Sequence, residues 1–301
     1  LSKDQPKKGQ SARGQPAKGV PGEGAAHADA PVASYASAFE ALSERCTLFV
    51  IPHINPDGEA RNRRWMDRWP DVEAYMRYSV REKPGRDVEF SWPDRRPENA
   101  AAAAWLRRQV AAGGPMHMHA SLHGMGYSDG VMLLIDRHWS YRTERLQSGF
   151  TRAAARAGLR MHDNNRKGEK GFFRIAPGFT TTPEGRAMRT YFESHGDPET
   201  AALFSDSSME FVRSLGGDPL CIVTELPLFL VRGQAEPERP VAYMAFKERL
   251  PEIKLRLEQG RSAGDLCEPF GLDPLDIQIA SALHLEALDL AVATVGSSSG
   301  R

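Results

Sequence analysis

The sequence predicts an α/β protein, in which helices cover both faces of a central sheet. Apolar runs at residues 47–54, 131–135 and 220–231, and an alternating segment at residues 116–122, predict strands. Between these runs lie longer segments with helical periodicity. Strands that alternate with helices are typical of a sheet with helices on both sides.

Helical periodicity is clearest in residues 142–159, where Leu146, Phe150 and Ala154 recur on one face. We predict further helices at residues 31–45, 98–112, 183–194, 207–215, 241–259 and 274–293. The first apolar run stops at residues 55–58, Asn-Pro-Asp-Gly, whose composition predicts a turn.

Composition excludes several classes of partner. The 39 lysines and arginines balance 39 aspartates and glutamates, so we expect neither nucleic acid nor an anionic membrane as partner. The three cysteines lie far apart and form no disulfide framework or thiolate metal motif. We find no uninterrupted apolar run of membrane-spanning length and no secretory signal. We therefore expect a cytoplasmic protein.

The N-terminal segment differs from the rest of the chain. Residues 1–26 are rich in Gly, Pro, Lys, Gln and Ala and contain few large apolar side chains. Such a segment buries too little surface to offset its ordering entropy. We predict a flexible segment at 1–26, followed by one domain at 27–301.

A histidine-rich strand is the first candidate for chemistry. His117, His119, Ser121 and His123 alternate with apolar residues, so they share one face of the strand. That face cannot be an ordinary core face. We predict structural roles for His117 and His119. His123, at the predicted end of this strand, is the candidate metal ligand because ligand sites in α/β folds lie beyond strand ends.

Glu225 is the second candidate, because it interrupts the apolar run 220–231. Burying an ionised carboxylate costs several kcal/mol unless it is paired or faces a polar cavity. Glu225 is therefore either an edge-strand residue that points to water or a general base beside a metal. In the second case burial raises its pKa toward the working range.

Several short segments, in the same order, resemble the zinc carboxypeptidase family. They correspond to that family's Asn-Pro-Asp-Gly, Pro-Glu-Thr, zinc-histidine, Ser-Ile-Asp-Trp and Thr-x-Glu-Leu segments, and stand at residues 55–58, 97–99, 121–124, 208–211 and 224–226. The resemblance covers residues 27 to 230. It implies a carboxypeptidase-like catalytic domain at 27–301, with a mixed sheet in a three-layer sandwich.

The resemblance also implies roles for individual residues. The family binds one Zn²⁺ through a His-x-x-Glu pair and a later histidine, leaving one position open for water. By resemblance, His27 is the first ligand, His123 the last ligand and Glu225 the base. Arg81 is the best match for the arginine that stabilises the oxyanion, and Arg64 is the alternative. The implied substrate is a peptide or another amide.

The second zinc ligand is missing from its expected place. Position 30, three residues after His27, is Ala30, which has no donor atom. The change is either engineered or natural. We expect a zinc-dependent metallopeptidase or amidase that Ala30 impairs. The alternatives are a non-catalytic ligand-binding pseudoenzyme and a deacylase of small acyl-amino acids.

The predicted substrate pocket also departs from the family. Glu89 and Phe90 replace the Asn-Arg pair that holds a substrate's terminal carboxylate, and Trp92 follows them. A carboxylate at 89 would repel another by about 4 kcal/mol at 4 Å. We predict that Glu89, Phe90 and Trp92 contact a substrate that is cationic, amidated or otherwise modified.

Overall fold

A computed structural model of the chain describes residues 32–233 and 242–298, which form eleven α-helices and six β-strands. The helices are α1 Val32–Ser43, α2 Pro56–Met66, α3 Val72–Tyr78, α4 Pro97–Gly113, α5 Glu144–Arg156, α6 Gly185–Ser194, α7 Pro198–Ala201, α8 Ser208–Ser214, α9 Ala242–Glu258, α10 Ala263–Cys267 and α11 Ile277–Ser298. The strands are β1 Met118–Ser128, β2 Met132–Ile135, β3 Arg174–Ala176, β4 Phe179–Thr181, β5 Leu220–Val231 and β6 Leu272–Pro274.

The six strands form one mixed sheet. Its order is β1-β5-β2-β4-β3, and β6 pairs with the end of β5. The pairs β1/β5 and β2/β4 are parallel, whereas β2/β5, β3/β4 and β5/β6 are antiparallel. The predicted α/β class with a mixed sheet is confirmed at this level.

Alternate residues of β5 explain how the sheet is buried. Leu220 and Ile222 pack into a cluster that includes Phe150 of α5 and residues of α11. Cys221 and Val223 point the other way and pack with Met209 of α8. Because side chains alternate along a strand, each face of β5 is covered by helical residues.

The predicted strand at residues 47–54 is wrong. This segment forms no ladder with any described strand, and Leu48, Phe49, Val50 and Ile51 are exposed. Phe49 packs edge-to-face on Trp105 of α4, which is a helix contact. An apolar run shows that a segment can pack against other residues, but it does not show whether those residues belong to a strand or a helix. The strand prediction failed for this reason.

The predicted turn at residues 55–58 is a helix start instead. The Asn55 side chain accepts a hydrogen bond from the Gly58 backbone N–H at 3.0 Å, and Pro56 is the first residue of α2. Asn at an N-cap followed by Pro is as typical of a helix start as of a turn.

Helix α11 bears on the membrane prediction. Residues Ile277–Ser297 are long and apolar enough, by length and composition, to cross a membrane. Polar residues interrupt this segment, so it is not an uninterrupted apolar run. In the structure Leu283, Ala287 and Ala291 of this helix are buried in the cluster beneath the sheet. The core helix of a soluble protein can have the same length and apolar composition. These two properties of α11 therefore do not identify a membrane span.

Only part of the domain prediction concerns residues that the structure describes. From Val32 onward the chain clusters as one compact unit. The predicted flexible segment 1–26, and with it His27 and Ala30, lies outside the described residues.

Candidate functional site

The site centres on His123 of β1 and Glu225 of β5. The two residues are direct partners in the parallel ladder, so their side chains emerge on the same face. His123 Nδ1 lies 3.8 Å from Glu225 Oε1. The structure therefore brings the predicted metal ligand and the predicted base together.

His123 does not lie at a strand end as predicted. Strand β1 continues to Ser128, and its residues beyond His123 pair with β5 as far as Leu230. The pairing partner, rather than local β-propensity, extends the strand through Gly124 and Gly126. The site therefore lies on the face of the sheet, midway along two adjacent strands.

A second carboxylate, Glu89, approaches the other side of the same imidazole. Glu89 Oε2 lies 3.9 Å from His123 Nε2. Glu89 Oε1 accepts hydrogen bonds from the Ser208 backbone N–H at 3.1 Å and from its hydroxyl at 2.9 Å. Two carboxylates from distant parts of the chain thus flank one histidine.

Two further polar contacts hold the histidines of β1. His119 Nε2 lies 3.0 Å from Ser208 Oγ. Because that hydroxyl donates to Glu89, it accepts from His119. Ser121 Oγ hydrogen-bonds with His123 Nε2 at 2.9 Å, so Nδ1 is the ring nitrogen that faces Glu225. The contact with Ser208 is compatible with the structural role predicted for His119, which stays a prediction.

Burial sets the charge states in the site. Burial raises the pKa of Glu225 to about 7, against an opposing effect of the Arg81 guanidinium. Burial raises the pKa of Glu89 to about 7, although hydrogen bonds from Ser208 oppose it. Burial lowers the pKa of His119 to about 4 and also lowers that of His123. The site therefore combines neutral imidazoles with carboxylates that titrate near neutral pH.

The two arginines predicted for the oxyanion role differ in their surroundings. Arg81 is exposed just beyond α3. Its positive charge acts on Glu225 and partly opposes the rise in pKa that burial causes. Arg64, on helix α2, has its guanidinium 3.5 Å from the centre of the Tyr78 ring of α3. This placement favours Arg81 over Arg64.

Phe90 and Trp92, predicted to contact substrate, are buried in the core. Phe90 packs edge-to-face on Phe204, and Trp92 stacks on Phe211. Both rings anchor the segment that carries Glu89. Their placement does not favour substrate contact, so within this segment we retain Glu89 alone.

Ser208 belongs to the candidate site by its hydrogen bonds to Glu89, although the sequence predicted no role for it. Ser207 and Glu210 form a capping box at the start of α8, with the Ser207 side chain accepting from the Glu210 backbone. The backbone N–H of Ser208 is free to bind Glu89 because the first N–H groups of a helix have no partner within it. The Ser-x-x-Glu pattern at 207–210 was the available signal.

A zinc site is not complete within the described chain. Among residues 32–233 and 242–298, no three His, Cys, Asp or Glu side chains converge on a position that could hold a metal. His123 fits the ligand role, since burial lowers its pKa and its Nδ1 lies on the side of Glu225. The other predicted positions, His27 and Ala30, lie outside the described ranges.

Comparisons with known proteins identify no relative of this chain. No family model matches the chain, and no match was found among curated proteins or among solved structures. The resemblance to the zinc carboxypeptidases therefore stays a prediction made from the residues.

The raised pKa of Glu225 predicts a pH-dependent stability. A carboxyl group whose pKa is raised from 4.5 to about 7 stabilises the fold below pH 4.5, and this contribution is lost as the pH rises through 7. With metal removed by a chelator, Glu225→Gln should gain about 3 kcal/mol in free energy of unfolding relative to the unmodified chain between pH 4 and pH 8.

Urea denaturation at the two pH values measures this difference. Glu258→Gln, at an exposed position near the end of α9, is the control and should show no such change. A constant difference between Glu225→Gln and the unmodified chain at both pH values would contradict the prediction.

Proposed function

We propose that this chain is a zinc-dependent hydrolase of peptide or amide bonds, of the zinc carboxypeptidase type, whose metal site is impaired by Ala30. The observation that carries the proposal is the pairing of His123 with Glu225 on adjacent parallel strands, with Nδ1 and Oε1 3.8 Å apart. A neutral imidazole beside a carboxylate that titrates near pH 7 suits a ligand and a general base.

Each residue of the site has a role in this reaction. Glu225, once ionised, accepts a proton from the attacking water and returns it to the leaving amine. Arg81, whose charge acts on Glu225, would stabilise the negative charge that develops on the carbonyl oxygen. His123 would hold the zinc through Nδ1, with His27 as a further ligand. Zinc, when bound, lowers the pKa of water to about 7.

Restoring the missing ligand tests the proposal directly. Ala30→Glu should raise the zinc content toward one ion per chain, because a third protein ligand completes a catalytic zinc site. It should also produce hydrolysis of amide substrates. Elemental analysis and an amidase assay of the purified protein measure the two effects.

Two variants sharpen this test. Ala30→Gln, which matches glutamate in size but carries no charge, should bind zinc more weakly. Adding His123→Ala to Ala30→Glu should remove the zinc again, because one of the proposed ligands is lost. An Ala30→Glu protein that binds no zinc would contradict the proposal.

A non-catalytic binding protein is the second candidate. It is favoured by Ala30, which offers no donor atom, and by the incomplete metal site among the described side chains. In that case the cleft between Glu89 and Glu225 would hold a ligand without cleaving it. Turnover by the Ala30→Glu protein would exclude this candidate.

A further inference from the structure

We propose that Glu89 binds a primary ammonium group of the substrate, close to the bond that is cleaved. The proposed hydrolase would then act on amides with a free amine next to the scissile carbonyl, such as aminoacyl amides. This inference deepens the proposed function and depends on it for the position of the scissile bond.

Glu89 is a poorly exposed carboxylate that no cation neutralises. Its side chain is 16% exposed, and its ion-pair partner within 4.0 Å among the described residues is the weakly basic His123. No lysine or arginine of residues 32–233 and 242–298 comes within that distance. Both hydrogen bonds from Ser208 go to Oε1, so Oε2 is left on the side of His123.

Two other shielded carboxylates in this fold each have an arginine beside them. Asp136 lies 2.5 Å from an Arg213 nitrogen, and Asp129 lies 2.8 Å from an Arg160 nitrogen. A sequestered carboxylate that lacks such a partner is stabilised by a ligand that brings the positive charge.

The geometry also places that charge relative to the reaction. Glu89 approaches Nε2 of His123, and Glu225 approaches Nδ1 of the same ring. A cation bound by Glu89 and a carbonyl attacked near Glu225 would therefore lie on opposite sides of the His123 ring. An α-ammonium group is one carbon from the carbonyl, so it suits two positions that flank a single side chain. A substrate carboxylate in that place would face two carboxylates of the protein and be repelled.

Equilibrium binding to the full chain tests the inference without requiring turnover. Alanine amide carries the ammonium group, and N-acetylalanine amide is its uncharged analogue. By isothermal titration calorimetry at pH 8, alanine amide should bind at least about 10-fold more tightly, as expected for a charge-assisted hydrogen bond. Glu89→Gln, which keeps an acceptor for Ser208, should reduce this preference to about 2-fold or less.

Asp87→Asn is the matched control. Asp87 lies in the same segment, but its Oδ1 accepts a hydrogen bond from the Phe90 backbone at 3.1 Å. This variant should keep the preference for alanine amide. Equal affinity for the two probes, no binding of alanine amide, or an unchanged preference in Glu89→Gln would overturn the inference. If Glu89→Gln does not fold, the relative affinity of the unmodified chain for the two probes still tests the inference.

Failure of this inference is distinguishable from failure of the proposed function. Hydrolysis of N-acetylated and free aminoacyl amides at equal rates by the Ala30→Glu protein would support the hydrolase and overturn the role of Glu89. An Ala30→Glu protein without zinc or turnover that still prefers alanine amide through Glu89 would support the ammonium site. That result would also contradict the hydrolase.

Discussion

Replacing Glu225 with Gln in the Ala30→Glu protein is expected to lower kcat/KM for amide hydrolysis by about 10³-fold. Glutamine keeps the size of the side chain but cannot take a proton from water. Because Glu225 is proposed as the base and not as a ligand, the zinc content should stay unchanged. Steady-state kinetics and elemental analysis on the same preparation measure both quantities.

The matched control for this variant is Glu258→Gln in the same background, at an exposed position on α9. It should change kcat/KM by less than about 2-fold, as expected for a surface carboxylate away from the site. A Glu225→Gln protein that keeps most of its turnover would show that the base is another residue. Loss of zinc together with activity would assign Glu225 to the metal site instead.

The largest expected effect on stability is that of Phe150→Ala, which should lower the free energy of unfolding by about 3–5 kcal/mol. Phe150 of α5 is fully buried and packs edge-to-face on Phe179 of β4, with ring centroids 6.3 Å apart. Removing the ring leaves a cavity in the core cluster between α5, α11 and the sheet. Urea denaturation gives the free energy.

Phe173→Ala is the control for this prediction, because that ring is 58% exposed. It should change the free energy of unfolding by less than about 1 kcal/mol. A loss of similar size in both variants would mean that the α5 cluster is not the dominant core.

Local periodicity predicted most of the long elements. The run at 220–231 is strand β5, and the helical pattern at 142–159 contains α5. Leu146, Phe150 and Ala154 are buried, as their spacing indicated. Such elements were readable because each one carries its own pattern of apolar residues along the chain.

Elements that depend on their neighbours were missed or misread. Strands β3, β4 and β6 have three residues each, too short to show a period. The exposed run at 47–54 has the composition of a strand but pairs with none of the described strands. Apolar composition alone cannot distinguish these cases, because pairing is a property of two segments.

The site was predicted in part for the same reason. His123 and Glu225 stand out because a polar residue in an apolar strand needs an explanation. The contact between Glu89 and Ser208 joins positions 119 residues apart, so no local spacing encodes it. Phe90 and Trp92 were predicted to contact substrate because they stand in the segment that resembles the family's substrate-binding segment, whereas the structure turns both rings into the core.

Strand β5 holds Glu225 by main-chain ladders on both sides, opposite His123 of β1 and Met132 of β2. Arg81, by contrast, stands on an exposed segment outside any strand or helix. Amide hydrogen exchange should therefore be slow around Glu225 and fast around Arg81. Substitutions near Arg81 are then expected to change the proposed reaction, while the position of Glu225, the proposed base, stays fixed.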